Sequence, residues 1–216
     1  MILEGAVMSQ LKRVDHITYA CAAGTIEKWA WFHIEVEGGR LINRIDDVRP
    51  DDPNDSMKIW CIDFGEFGVA LIEGIDRAST SQVTAFVERH GDHSIQHVAF
   101  DTYDLDGFIA RMKAMGGTPR GEVLVRNDGF GTLRQMFARG YEEGGADVTC
   151  FTEYVERPNA ETGDDVSITF AEETGKGFYD QVADAVEAGD DAPFFDFSRM
   201  PADWEVPEAT PLAGAG

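Results

Sequence analysis

The chain has 216 residues, 43% hydrophobic and 11% aromatic, enough to bury the core of one domain or of two small repeated units. Its charge is lopsided, with 18 basic against 40 acidic residues and a net charge of −22. Such a surface repels phosphate backbones and anionic membranes, so neither nucleic acid nor a membrane is an expected partner. Three cysteines at no metal or redox spacing predict reduced thiols. The acidic start, Met1-Ile2-Leu3-Glu4, does not read as a signal peptide, and no apolar run reaches spanning length. A soluble, cytoplasmic protein is expected.

In chain order, the first strand is Val14-Asp15-His16-Ile17-Thr18, in which alternation places Val14, His16 and Thr18 on one face. A helix over 25–35 follows, with Ile26, Trp29, Phe32 and Val36 at helical spacing and a stop at Gly38-Gly39. Strands are predicted at 40–45, 58–64 and 68–73, the last two joined by a turn at Gly65-Glu66-Phe67-Gly68. A short linker helix spans 81–90. The order then repeats: the strand Ile95-Gln96-His97-Val98-Ala99, a helix carrying Leu105, Phe108, Ile109, Met112 and Met115, and strands at 121–125, 133–138 and 147–155. Asp128-Gly129 and Gly144-Gly145 supply turn chemistry. The two histidine strands stand roughly 80 residues apart, an internal repeat of β-α-β-β-β units.

These patterns define an α+β fold of two tandem βαβββ modules, about 12–75 and 93–157, within a region spanning 1–158. A C-terminal extension, 159–216, holds a helix at about 175–188 between a polar loop and an irregular Pro- and Ala-rich tail.

Chemistry concentrates on three strands. His16 and His97 hold equivalent places in the repeat, and Glu153 puts a lone carboxylate into the apolar run Phe151-Thr152-Glu153-Tyr154-Val155. An inward carboxylate needs a partner to be buried. Two imidazoles and a carboxylate on a shared concave sheet are a metal-ligand set, and the residue types alone admit Fe, Mn, Ni, Co or Zn. Glu73 closes the first module as Glu153 closes the second, so repeat symmetry makes it a possible fourth ligand. The preferred reading is a surface carboxylate at a strand end. His33, His90 and His93 read as non-ligands.

At these residues the chain resembles the vicinal oxygen chelate superfamily, and within it the catalytic half of the 4-hydroxyphenylpyruvate dioxygenase and 4-hydroxymandelate synthase family. Val14-Asp15-His16 resembles that family's first ligand strand. Ser81-Gln82, the helix to His90 and Ile95-Gln96-His97-Val98-Ala99 resemble its second ligand segment. Leu133-Arg134-Gln135-Met136-Phe137 and Phe151-Thr152-Glu153-Tyr154-Val155-Glu156-Arg157 resemble two later strands, and Gly175-Lys176-Gly177-Phe178-Tyr179 resembles the opening of its C-terminal lid helix. The likeness runs from about Arg13 to Ala188 and leaves out the family's N-terminal module pair, which suggests a homodimer.

The resemblance implies that His16, His97 and Glu153 bind Fe(II), with Ni, Co, Mn and Zn as alternatives. It implies oxidative decarboxylation of a 2-oxo acid by dioxygen, with hydroxylation of the substrate's own side chain. Gln82, Gln96 and Gln135 match the family's pocket glutamines, and Phe137 and Tyr179 match aromatic positions flanking the substrate. The chain departs from the pattern at Ile72, where the family has Asn, at Phe178, where it has Asn, and at Ala183, where it has Phe. Those changes imply a substrate less polar than, or shaped differently from, 4-hydroxyphenylpyruvate. Two other readings stand beside this one: a glyoxalase-like isomerase or lyase or ring-cleaving dioxygenase of the same superfamily, and a protein that sequesters a metabolite or antibiotic.

Overall fold

A computed structural model describes residues 10–127, 132–140, 150–157 and 172–189. The turns at Asp128-Gly129 and Gly144-Gly145, the polar segment 159–171 and the tail 201–216 lie outside the described residues. The first unit comprises β1 (Leu11–Cys21), α1 (Ile26–Trp31) running into a π-helical turn (Phe32–Val36), β2 (Arg40–Ile45), β3 (Asp55–Asp63) and β4 (Gly68–Asp76). After α2 (Gln82–His90), the second comprises β5 (Ser94–Thr102), α3 (Leu105–Ala114), β6 (Pro119–Asn127), β7 (Thr132–Ala138) and β8 (Phe151–Glu156). Next comes α4 (Glu172–Glu187), which begins at Glu172 rather than at Gly175.

All eight strands join one sheet in the order β2-β3-β4-β1-β5-β8-β7-β6. Within each unit the first strand pairs in parallel with the last, β1 with β4 and β5 with β8, and the two first strands pair antiparallel at the centre. The arrangement is a pseudo-twofold about the β1–β5 seam, so the two histidine-bearing strands are neighbours by construction.

Alternation divides the side chains between two faces. On the outer face, Ile26 and Ala30 of α1 pack on Cys21, Trp60, Ile62, Val69 and Leu71, while Leu105 and Met112 of α3 pack near Met136, Ala138 and Tyr154. Asp104 caps α3, its Oδ1 accepting from Gly107 N at 2.9 Å. The inner face carries Ala20, Met57, Ile59, Cys61, Ile72, Phe137 and Phe151, and is covered by Val83 and Phe86 of α2 and by Tyr179 and Val182 of α4.

The helix expected to link the two modules thus also covers the inner face. Ser81 caps it, accepting from Val83 N at 3.2 Å. Gly74 makes room for it, because a Cβ there would stand 2.3 Å from Thr84 Oγ1. Helix α4 is latched by Tyr179, whose hydroxyl donates to Asp55 and lies 3.1 Å from Ser81 Oγ.

The loop between α2 and β5 is pinned by aromatic stacking. The His93 ring lies between those of Trp29 and Tyr19, with centroids 3.8 and 4.2 Å away, and its Nε2 is 2.9 Å from His33 Nε2. Burial, followed by the neighbouring His33, pushes the His93 pKa down to about 4. A depressed histidine favours the folded state when neutral. That contribution is complete above the unfolded value of about 6.5 and is lost as pH falls toward 4, because the unfolded chain binds the proton first. The denaturant midpoint is therefore expected to drop between pH 7 and pH 4.5, and His93→Asn should flatten that dependence.

Candidate metal centre

The register of the central strands assembles the site. His16 of β1 lies opposite Ala99 of β5, and Ala99 lies beside Glu153 of β8. One row across the sheet therefore reads His16, Ala99, Glu153, and the small middle residue lets its two large neighbours meet above it. His97 sits one pleat along, opposite Thr18. His16 Nε2 and His97 Nε2 are each 3.3 Å from Glu153 Oε2, and one ligand atom from each of the three residues lies within 4.8 Å of the others. The imidazoles meet edge to face with centroids 5.6 Å apart. All three side chains are at most 3% exposed.

Electrostatics marks this as a built site. His16 is pushed up to about 9: burial works against the charge, but Glu153 and Asp15 outweigh it. Glu153 is held down at about 2, where burial is outweighed by the two histidines. Burial depresses His97, leaving it mostly neutral near pH 7. The other carboxylate oxygen, Glu153 Oε1, is buried without a hydrogen-bond partner among the described residues. A buried orphan of that kind calls for an explanation, and a cation supplies one. Metal bonds of roughly 2.0–2.2 Å at right angles separate adjacent ligand atoms by about 3 Å, so the two 3.3 Å contacts fit with a few tenths of an ångström of adjustment. The donor set, two nitrogens and one carboxylate, suits a metal that keeps open positions.

Behind each imidazole stands a polar support. His16 Nδ1 is 2.7 Å from Asp15 Oδ1, and Asp15 accepts from Arg157 Nε at 2.9 Å and from its terminal nitrogen at 2.8 Å. His97 Nδ1 is 3.1 Å from Gln96 Oε1, while its Nε2 is 2.9 Å from Thr18 Oγ1. Phe151 stacks on His97 at 5.0 Å, and Phe137 meets the same ring edge-on at 6.1 Å. Asp15, Thr18, Phe151 and Arg157 carried no assigned role in the sequence. The available signal was a polar residue directly before each histidine of an apolar strand.

The remaining candidates separate by face. Gln135 lies on the inner face beside Val155, with Oε1 buried and without a hydrogen-bond partner among the described residues; Gln82, at the start of α2, is buried with Nε2 likewise unpartnered. Ile72 is buried in the inner cluster, opposite Ile59. Tyr179 is buried there too. Gln96 is engaged by His97.

Glu73 goes elsewhere. It points to the outer face, where Oε2 accepts from Ile26 N at 3.0 Å at the start of α1 and Oε1 pairs with Lys58 at 2.5 Å. It is neither brought to the His16 cluster nor left at the surface, being 3% exposed. Consecutive residues of a regular strand face opposite ways, so Ile72 inside requires Glu73 outside. Glu73→Gln is expected to cost about 1–3 kcal/mol of stability, since a buried charged partner is lost, and to leave metal stoichiometry unchanged. Denaturant unfolding alongside a metal titration checks both.

No protein-family model matches the sequence, and no curated protein matches it. Among solved structures, a triple mutant of 4-hydroxymandelate synthase from Streptomyces coelicolor superposes with a TM-score of 0.66 at 18% identity, covering 84% of this chain and 56% of that one. The chain thus spans little more than half the length of that synthase. Methylmalonyl-CoA epimerase from Mycobacterium tuberculosis aligns at a TM-score of 0.49 and 20% identity, covering 74% of this chain and 98% of that one. The first likeness establishes the α+β fold shared with vicinal oxygen chelate proteins. No helix among the described residues is long and apolar enough to cross a membrane.

Proposed function

We propose that this chain is an Fe(II)-dependent dioxygenase that converts a 2-oxo acid into a hydroxylated acid one carbon shorter, with carbon dioxide as the other product. The observation that carries this reading is the buried His16–His97–Glu153 trio, a three-ligand face on the inner side of a sheet shared with a hydroxymandelate synthase. When bound, the iron would supply open positions for the chelating oxo acid and dioxygen, together with the electrons that activate oxygen. The chain's own part is to hold, orient and enclose. His16, His97 and Glu153 keep one side of the site occupied. Phe137 and Phe151 wall it beside His97, and α2 and α4 exclude water from above.

Substrate preference follows from what lines the inner face. Met57, Ile59, Ile72 and Val182 offer apolar surface, whereas Gln82 and Gln135 keep buried polar atoms in reserve. This combination favours an oxo acid with an aryl or alkyl side chain that bears no hydroxyl of its own. Glu73, committed to α1 and Lys58, gives no support to a four-ligand, glyoxalase-like centre.

The test is to load the protein with Fe(II) anaerobically, add aerated buffer with a panel of aryl- and alkylpyruvates, and follow oxygen and carbon dioxide together. Equal uptake and release with at least one member supports the proposal. Iron-loaded protein that is inert toward the whole panel overturns it.

A further inference from the structure

Two irregularities in the β1–β5 seam fall at the ligand histidines. Between the pairs Val14–Phe100 and His16–Ala99, β1 advances one residue more than β5, and the extra residue is Asp15. Between Thr18–His97 and Tyr19–Ile95 the excess is on β5, and the extra residue is Gln96. A bulge breaks alternation and re-aims a side chain. Here each bulged residue directly precedes a ligand histidine, and its side-chain oxygen reaches that histidine's Nδ1, at 2.7 Å for Asp15 and 3.1 Å for Gln96. In a regular strand neither contact would form, because neighbours in sequence point to opposite faces.

The two supports differ in charge. Asp15 is a buried carboxylate held by two bonds from Arg157, a residue just beyond the end of β8, the strand that carries Glu153. Gln96 is neutral. A carboxylate can only accept, so it fixes the proton on the Nδ1 it faces, and a charge-assisted bond is roughly twice as strong as a neutral one.

We propose that these paired bulges are the positioning device of the metal centre: Asp15, clamped by Arg157, and Gln96 each hold the following histidine with Nδ1 protonated and Nε2 presented to the metal, and Asp15 makes His16 the stronger donor of the two. The proposal rests on reading the His16–His97–Glu153 cluster as a metal site. The Asp15–Arg157 pair also joins β1 to the end of β8, so one ion pair supports the strand of the first ligand and the strand of the carboxylate together. Such outer partners set ring orientation and ligand basicity and are worth roughly 10- to 100-fold in metal affinity.

The experiment compares wild type, Asp15→Asn and Gln96→Met by competition for Zn(II) with a chromophoric chelator, and by two-bond proton–nitrogen spectra of the histidines in the zinc-loaded proteins. Wild type is expected to show both His16 and His97 protonated at Nδ1. Gln96→Met, a neutral change of similar volume, should weaken zinc by roughly tenfold and disturb the His97 signals alone. Asp15→Asn should weaken it further, toward roughly 100-fold, and disturb His16. If Asp15→Asn fails to fold, Gln96→Met decides alone. Folded variants that bind zinc as wild type does, or Gln96→Met costing more than Asp15→Asn, overturn the clamp while leaving the site intact. Wild type that binds no zinc overturns the site and the clamp together.

Discussion

Replacing Glu153 with alanine is expected to abolish stoichiometric binding of Fe(II) and Co(II) while leaving a folded protein. Glu153 is the one carboxylate of the cluster, and its Oε2 lies 3.3 Å from both imidazoles, so it is the atom that joins them into a site. Without it, two neutral ligands remain in a buried pocket, and no negative charge offsets the dehydration of a divalent cation. Loss of an outer-shell partner alone costs roughly 10- to 100-fold; loss of the central ligand should exceed that range. The fold should survive because Glu153 contributes no strand pairing through its side chain and its Oε1 has no hydrogen-bond partner to lose. Metal content after gel filtration, with Co(II) absorbance as a second readout, checks the expectation. Glu153→Gln, which keeps the volume, separates charge from shape. Equimolar cobalt retained by Glu153→Ala would remove the basis for a metal centre here and favour a binding protein without a metal.

Metal affinity is expected to rise roughly tenfold per pH unit between pH 6 and 8, with one proton released for each ion bound. His16 is raised to about 9, so it carries its second proton throughout that range, on the nitrogen that faces Glu153. Glu153, at about 2, is already ionised, and burial keeps His97 mostly neutral. Only His16 must therefore lose a proton to become a ligand. The sign follows for stability as well. A histidine raised in the folded state stabilises the metal-free protein fully below about 6.5, and that contribution disappears as pH rises through 9. The metal-free protein should thus weaken between about pH 6.5 and pH 9. Titration calorimetry in two buffers of different ionisation enthalpy counts the protons; zero released at pH 7 would mean that His16 is neutral before metal arrives.

That His16, His97 and Glu153 would meet on one face was legible because it depends on a local rule. Strand alternation is a property of consecutive residues, so His16 and Thr18 could be assigned to one face without a partner strand; Val14, expected on that face too, is separated from His16 by the bulge at Asp15 and pairs with Phe100 instead. Hydrophobic spacing likewise marked α1, α3 and the repeat that makes β1 and β5 equivalent. The same rule, applied strictly, would also have dismissed Glu73 once Ile72 was placed in the pocket. Boundaries shifted where tertiary contacts intervene. Helix α1 takes its first-turn partner from Glu73, a residue on another element, and α2 became a cover because Gly74 lets it approach the sheet.

The architecture, the strands that carry chemistry and the residue types of the His16–His97–Glu153 cluster were all readable along the chain. All of these are encoded in short-range periodicity and in a duplication of the chain with itself. Strand pairing and packing were needed to see that Ala99 stands between His16 and Glu153, that Glu73 serves α1, and that Asp15 and Gln96 break alternation to reach their histidines. Register and bulges are relations between two strands far apart in sequence. The extra residue of a bulge is defined only by what lies opposite it, so no period counted along one strand can reveal it.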